Sequence, residues 1–212
     1  MPMHKEAGDK HAPIWLLGDS NPRNWSEVLI VPLDPRHAAR HNIWTPIIDA
    51  SQDRLFRSIR QRIDTTKMYV RNAIEAPDTK PDGASVKWQR AVEDELEAFS
   101  QDLAAHQPPL LFSFGAFSFE FARRCLCETP ARKFAHWGAR ELGEQFRDAI
   151  AAFDPQRVNL LPLLHATIAR GRFIQSHEQF AARKGANYFE VVADALAAVL
   201  ARHRASLPIW IE

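Results

Sequence analysis

Short apolar runs alternate with amphipathic helical patterns along the chain, and this alternation restricts the possible folds more than any other feature of the sequence. Runs of this length, bounded by turn-forming residues, are typical of buried strands. The four strongest are residues 14–17, 67–74, 110–114 and 158–164, and residues 28–33 form a further short run. Strands that alternate with helices form a mainly parallel sheet, so we expect a three-layer α/β/α fold with a central sheet of about four strands.

The helical patterns lie between these runs. Ser51 is predicted to cap a helix in which Leu55, Ile59 and Ile63 share one face. Further helices are predicted at residues 86–105, from Gly115-Ala116 onward, and at 139–153 and 189–203. Residues 1–12 lack an apolar period and are predicted to form a flexible arm, which leaves residues 13–212 as a single domain. Residues 207–211 are predicted to form either a strand or a packed tail.

Composition excludes several classes of protein. The chain has 212 residues, of which 46% are hydrophobic, and can therefore bury a core of its own. Its net charge of +1 argues neither for nor against a nucleic-acid partner. Cys125 and Cys127 are too few for a disulfide framework or a four-cysteine iron–sulfur cluster, and they indicate a reducing compartment. The sequence has no signal peptide or membrane-spanning run, so we expect a cytoplasmic protein with no membrane partner, metal or cofactor.

Small or polar residues occur at the carboxyl ends of all four strongest runs. The first run leads into Gly18-Asp19-Ser20-Asn21-Pro22, the second carries Asn72, the third ends at Gly115-Ala116, and the last delivers His165. Taken singly, each is explained by a turn or by a structural histidine. In a parallel sheet these ends meet at one edge, where α/β proteins bind their ligands. An acid, two carboxamides and an imidazole at this edge form a candidate site.

The order of these segments resembles that of the uracil-DNA glycosylase superfamily, over most of the chain from residue 14 to about residue 200. Asp19-Ser20-Asn21-Pro22 resembles the first motif of that superfamily, and His41-Asn42-Ile43-Trp44 resembles the segment whose aromatic residue stacks on the extruded base. Tyr69-Val70-Arg71-Asn72-Ala73 resembles the strand whose Asn reads the base edge. Residues 165–173 are similar to the loop that enters DNA and carries the catalytic histidine.

The resemblance implies a DNA glycosylase that flips a modified pyrimidine out of DNA, hydrolyses its N-glycosidic bond and leaves an abasic site. In this scheme His165 stabilises the departing base, while Asn21 or Asp19 positions the attacking water. The base-binding residues are then Trp44, Asn72, Ser20, Arg23 and Trp25, and the DNA-binding residues are Thr167, Ile168, Arg170 and Arg172. The expected partner is double- or single-stranded DNA, and the protein is expected to be a monomer.

Two departures from the family pattern affect the chemistry. Asn21 stands where the most active branch has Asp, and a carboxamide is no general base, so we expect slower catalysis unless Asp19 takes that role. Ala166 replaces the Pro that follows the catalytic histidine, and the loop to Arg170 is shorter than usual. This leaves Ile168 or Arg170 as the intercalating residue.

The residue after Pro22 bears on the substrate. The uracil-selective branch has a Tyr directly after its Asp-Pro, and that ring blocks any substituent at C5 of the base, whereas this chain has Arg23. Extra residues between Pro22 and Trp44 can line a larger pocket. We therefore predict a pyrimidine substituted at C5, such as a hypermodified cytosine of phage DNA. Uracil is the alternative if Trp25 restores the block, and both host DNA repair and antiviral defence fit this chemistry.

Two other interpretations stay open. Gly18-Asp19-Ser20 also matches the opening block of SGNH-type esterases, in which the Ser is a nucleophile at the end of the first strand. That mechanism needs an Asp three residues before a late His, but Pro162 stands there before His165, and a Gly-x-Asn-Asp block is missing. A catalytically inactive DNA-binding relative is the second interpretation.

The first predicted helix is rich in arginine. Arg54, Arg57, Arg60 and Arg62 either form a solvated face or contact DNA phosphates, and the sequence alone allows both.

Overall fold

A single sheet of five strands lies at the centre of the computed structural model, which describes residues 6–20, 45–165 and 174–211. The strands are β1 (Glu6–Gly8), β2 (Ile14–Ser20), β3 (Met68–Ile74), β4 (Leu110–Phe114) and β5 (Asn159–Leu163). Their order across the sheet is β1-β3-β2-β4-β5. The pairs β2–β3, β2–β4 and β4–β5 are parallel, whereas β1 pairs with β3 in antiparallel fashion. The prediction of an α/β fold with a mainly parallel sheet is confirmed, and β1 is the strand that it did not include. The short run at residues 28–33 lies outside the described residues.

Six α-helices are described in these ranges: α1 (Thr45–Ile59), α2 (Arg90–His106), α3 (Ala116–Cys125), α4 (Ala139–Ala151), α5 (Ile174–Ala181) and α6 (Tyr188–Arg202). Helix α1 packs against α6, α2 against α3, and α4 against both α5 and β5. None of the described helices is long and apolar enough to cross a lipid bilayer.

Aromatic residues join the sheet to α2 and α3. The ring centroid of Trp15 in β2 lies 4.7 Å from that of Tyr69 in β3 and 5.7 Å from that of Phe99 in α2. Phe99 in turn lies 5.9 Å from Phe121 of α3. All four side chains are buried, as is every residue of β4 and β5. Strands that are covered on both faces read as continuous apolar runs, which explains why the sequence indicated them clearly.

Residues 6–8 fall within the segment that was predicted to be a flexible arm, but they form β1. The strand pairs with β3, and the Tyr69 hydroxyl donates a hydrogen bond to Glu6. Just beyond β1, Lys10 Nζ lies 2.9 Å from Asp102 Oδ2 of α2. Three residues are too few to show an apolar period, and polar and backbone contacts hold them. The prediction of an arm is therefore wrong for this short stretch.

The predicted starts of two helices are also wrong. Helix α1 begins at Thr45, so Ser51 lies in its middle, where its hydroxyl donates to the Ile47 carbonyl at 2.8 Å instead of capping the amino end. Helix α1 ends at Ile59, and Ile63 forms an isolated bridge with Trp210 in the tail. Helix α2 begins at Arg90 and not at residue 86, because the backbone at Gln89 is extended. Trp88 is buried, as its apolar character suggested, but it lies before the helix.

Arginines in α1 and just after it contact other side chains of the protein. Arg54 forms ion pairs with Glu190 and Asp194 of α6. Arg60 and Arg62 stack on the Phe56 ring, in the connection that leads from the end of α1 to the amino end of β3. Arg54 is therefore engaged within the protein, and contact of the other three arginines with DNA phosphates stays a prediction.

Candidate functional site

The carboxyl ends of β2, β3, β4 and β5 lie at one edge of the sheet because these four strands are parallel. The chain leaves β2 for β3 on one side and then crosses to β4 on the other side. In doubly wound sheets, such a reversal opens a crevice outside the strand ends in which ligands bind. The sequence predicted polar residues at the ends of these strands. The fold places those that lie in the described ranges at the edge where a ligand site is expected.

Asn72 lies against the backbone of β2. It is level with Gly18 in the parallel register, so the two residues face the same side of the sheet. A Cβ atom placed on Gly18 would lie only 2.2 Å from Asn72 Oδ1. The carboxamide thus occupies the space that a side chain at position 18 would take. Ser20, the last residue of β2, is on the same face and level with Ile74.

Asp19 faces the other side of the sheet, since neighbouring residues of a strand alternate between faces. Its Oδ2 atom forms an ion pair with Lys80, which follows β3 in the chain. The Lys80 ammonium nitrogen lies 5.2 Å from the centre of the Phe117 ring and 5.3 Å from that of Phe134. The second carboxylate oxygen, Oδ1, is buried and has no hydrogen-bond partner among the described residues.

His165 follows the end of β5 by two residues and packs against Gly115. A Cβ atom at position 115 would lie 3.1 Å from His165 Cβ, and Gly115 has a φ of 94°, which favours glycine. The Gly115 N–H donates to the Leu163 carbonyl at 2.8 Å. The Leu164 N–H donates to the buried Tyr188 hydroxyl at 3.0 Å. These bonds fix the backbone on which His165 stands.

The surroundings of His165 favour a neutral imidazole. Burial lowers the pKa of His165 below its ordinary value of 6.5, the Asp19 carboxylate acts in the opposite direction, and the Lys80 ammonium adds to the lowering. The shift favours the neutral form of the ring, which has one N–H donor and one acceptor nitrogen. A positioned N–H donor of this kind can stabilise negative charge that develops on a ligand by a hydrogen bond.

The structure brings together four of the residues that the sequence predicted for the site: Asp19, Ser20, Asn72 and His165. The other eight lie outside the described residues, namely Asn21, Arg23, Trp25, Trp44, Thr167, Ile168, Arg170 and Arg172. Lys80 was missed, because a lysine before Pro81 in a turn-rich segment carries no motif. The role of Gly18 could have been found from the sequence by aligning β2 with β3.

The described parts of the chain contain no group of three or more His, Cys, Asp or Glu residues placed to hold a metal ion. Cys125 is buried and Cys127 is exposed, and both are free thiols.

No protein-family model matches the sequence, and no curated protein matches it significantly.

Proposed function

We propose that this protein is a DNA glycosylase that flips a modified pyrimidine out of DNA and hydrolyses its N-glycosidic bond. The observation that carries the proposal is the placement of the His165 imidazole, whose pKa is lowered by burial, at the same sheet edge as Asp19 and Asn72. Base excision requires a hydrogen-bond donor for the departing base, an amide that reads the base edge and an acceptor for water. His165, Asn72 and Asp19 are groups of these three kinds.

The chemistry follows from the charges that develop. As the bond between C1′ and the base nitrogen breaks, its electron pair goes to the base, which becomes anionic, while the sugar becomes cationic. The His165 N–H donates to an oxygen of the departing base and stabilises its charge. A water molecule then adds to C1′, and its proton passes to the departing base or to solvent. The Asp19 carboxylate accepts a hydrogen bond from this water and interacts favourably with the sugar cation, together with Asn21.

Asn72 reads the Watson–Crick edge of the flipped base. Its amide can present either an oxygen or an NH₂ group, and so can pair with cytosine or uracil. Trp44 forms the floor of the pocket, and Ser20, Arg23 and Trp25 complete it. Since Arg23 stands where the uracil-selective branch has a blocking Tyr, the substrate of the proposal is a pyrimidine with a substituent at C5. Competition between matched oligonucleotides tests this, because faster release of plain uracil than of 5-hydroxymethylcytosine or its glucosylated form would contradict it.

The segment after His165 is proposed to enter DNA. Thr167, Ile168, Arg170 and Arg172 contact the backbone or fill the gap left by the flipped base, an extrusion that costs a few kcal/mol. Binding should weaken as salt rises, with a slope set by the number of phosphates neutralised. Arg170→Ala and Arg172→Ala should each weaken binding, and Ile168→Ala should slow the release of paired bases more than of unpaired ones.

The protein would act as a cytoplasmic monomer, in repair of host DNA or in defence against modified phage DNA.

The decisive experiment is incubation with oligonucleotides that carry a panel of modified bases, followed by alkaline cleavage at abasic sites. Asn21→Ala and His165→Ala should each slow base release by about 10²- to 10³-fold, the usual effect of removing a positioned donor or water ligand. Ser20→Ala should retain base release. If Ser20→Ala is instead the inactive variant and a simple ester is hydrolysed, the esterase interpretation is correct. DNA binding without base release would favour the inactive relative.

A further inference from the structure

The ion pair between Lys80 and Asp19 is the part of the site that no sequence motif explains. Lys80 comes from the segment after β3, whereas Asp19 belongs to the central strand, and the pair therefore ties that segment to the sheet. The ammonium group also lies over the rings of Phe117 in α3 and Phe134 in the turn before α4. Two aromatic faces and one carboxylate confine the cation, so its position is well defined.

Asp19 keeps one carboxylate oxygen that the described residues do not satisfy. Lys80 contacts Oδ2, whereas Oδ1 is buried without a hydrogen-bond donor from the described ranges. A buried acceptor is costly unless a donor satisfies it, and bound water commonly does so. The carboxylate is thus held by one oxygen, and its other oxygen is suited to accept a hydrogen bond from a small donor.

We propose that Lys80 is a positioning residue: it holds the Asp19 carboxylate beside His165, so that Oδ1 accepts a hydrogen bond from the water that attacks the sugar. The identity of that water rests on the proposed glycosylase function. The placement of Asp19 by Lys80 does not, and it can be tested without DNA.

The titration of His165 reports this placement. Among the described residues, the charged groups that act on the imidazole are Asp19, which raises its pKa, and Lys80, which lowers it, with Asp19 the stronger of the two. Tyr188, which bonds to the adjacent Leu164, stays un-ionised because burial raises its pKa. Removing Lys80 can therefore change the pKa of His165 in either direction, depending on what Asp19 does. If Asp19 stays in place, the pKa of His165 rises, but if Asp19 leaves with its cation, the pKa falls.

The experiment is an NMR titration of the imidazole resonances in the full chain, with His165 assigned by comparison with His165→Gln. We expect Lys80→Met to lower the pKa of His165, as Asp19→Asn does. The double variant Lys80→Met/Asp19→Asn should then titrate like Lys80→Met alone, because Asp19 is already displaced. Lys80→Arg should restore the wild-type value. A rise in the pKa in Lys80→Met would overturn the proposal, since Asp19 would then keep its place without Lys80.

Lys67→Met is a matched control. Lys67 also pairs with an aspartate, Asp64, but it directly precedes β3 at the opposite edge of the sheet. This variant removes a lysine and an ion pair of the same kind and should leave the titration of His165 unchanged. An equal shift in the control would show that the effect is not specific to Lys80, and this result would also overturn the proposal.

Base release tests the second half of the proposal. Lys80→Met and Asp19→Asn should each slow release by about 10²-fold, and Lys80→Arg should recover most of the rate. Normal release by Lys80→Met from a substrate that the wild type cleaves would overturn the water-positioning role and leave the glycosylase function intact. If the wild type releases no base from any oligonucleotide, the glycosylase function and the role for water fail together. The NMR titration still decides whether Lys80 places Asp19.

Discussion

Replacing Gly18 with alanine should impair the site while leaving the fold intact. The new Cβ would lie 2.2 Å from Asn72 Oδ1, far closer than any van der Waals contact. The atom that must yield is the end of a side chain and not backbone, so the carboxamide of Asn72 moves and the sheet does not. Gly18 lies in β2 with an ordinary extended backbone, which alanine adopts without strain.

The expected effects on stability and on activity differ in size. Alanine in place of glycine in a strand gains about 0.5–1 kcal/mol. Forcing Asn72 away from its preferred rotamer costs about 0.5–1.5 kcal/mol, so the two nearly cancel in the free energy of unfolding. Loss of the hydrogen bonds from Asn72 to a flipped base costs about 1–3 kcal/mol, the range for leaving a polar partner unsatisfied. That corresponds to a loss of about 5- to 150-fold in base release, at 1.4 kcal/mol per tenfold.

Two measurements and one control test this reasoning. Urea denaturation gives the free energy of unfolding, and single-turnover base release gives the rate. Gly138→Ala is the matched control, because its Cβ would lie 2.8 Å from Glu141 Oε2, again the end of a side chain, at the start of α4. We expect the control to retain full activity. The double variant Gly18→Ala/Asn72→Ala should be no slower than Asn72→Ala alone.

The refuting results are specific. Wild-type release by Gly18→Ala together with a slow Asn72→Ala would show that Asn72 acts from another position than the one described here. Wild-type release by Asn72→Ala would remove the base-reading role altogether. Unfolding of Gly18→Ala would show that the strand and not the side chain yields to the new Cβ.

Three further predictions concern pH and packing. Because burial lowers the pKa of His165, the unfolded chain binds its proton more tightly, so relative to His165→Gln the wild type should lose stability as pH falls below about 6.5 in urea denaturation at stepped pH; a pH-independent difference would contradict this. Gly143→Ala should destabilise by about 1–3 kcal/mol in thermal unfolding, although alanine normally favours a helix, because its Cβ would lie 2.0 Å from the Phe180 carbonyl oxygen; a gain in stability would show that α4 and α5 separate easily. Glu120→Gln should cost about 3–5 kcal/mol in urea denaturation, since the fully buried Glu120 carboxylate pairs with Arg123 and Arg124; a neutral effect would show that neither guanidinium depends on it.

Much of the fold could be predicted from the sequence because its strands are covered on both faces. Leu110–Phe114 is buried at every position, and such continuous apolar runs are conspicuous. The strand Glu6–Gly8 carries no such signal, because its partners are the backbone of β3 and the Tyr69 hydroxyl. Ser51 has the composition of a helix cap and satisfies its hydroxyl within the helix instead. The local sequence does not distinguish a serine that caps a helix from one that bonds to a carbonyl within it.

The candidate site was predictable where it depends on strand ends. Asp19, Asn72 and His165 lie at or near the ends of apolar runs in the sequence. The alternation of these runs with helices predicts parallel strands, and parallel strands bring such ends to one edge of the sheet. Lys80 does not, since its place is determined by a tertiary contact with two rings and a carboxylate. A side chain in a turn-rich segment has no periodicity that points to its partner, and only the packed structure identifies it.

The register of β2 determines which groups act on which face of the sheet. Gly18 shares a face with Asn72, and Asp19, the next residue, points to the side of Lys80. A slip of one residue would exchange the two faces, move Asp19 against the Asn72 carboxamide and separate it from its cation. Parallel ladders with β3 on one side and β4 on the other hold this register, and they place β2 at the centre of the sheet although it comes early in the chain. The proposed separation of base reading from water positioning is therefore a consequence of strand pairing, and it requires no special backbone geometry at Gly18 or Asp19.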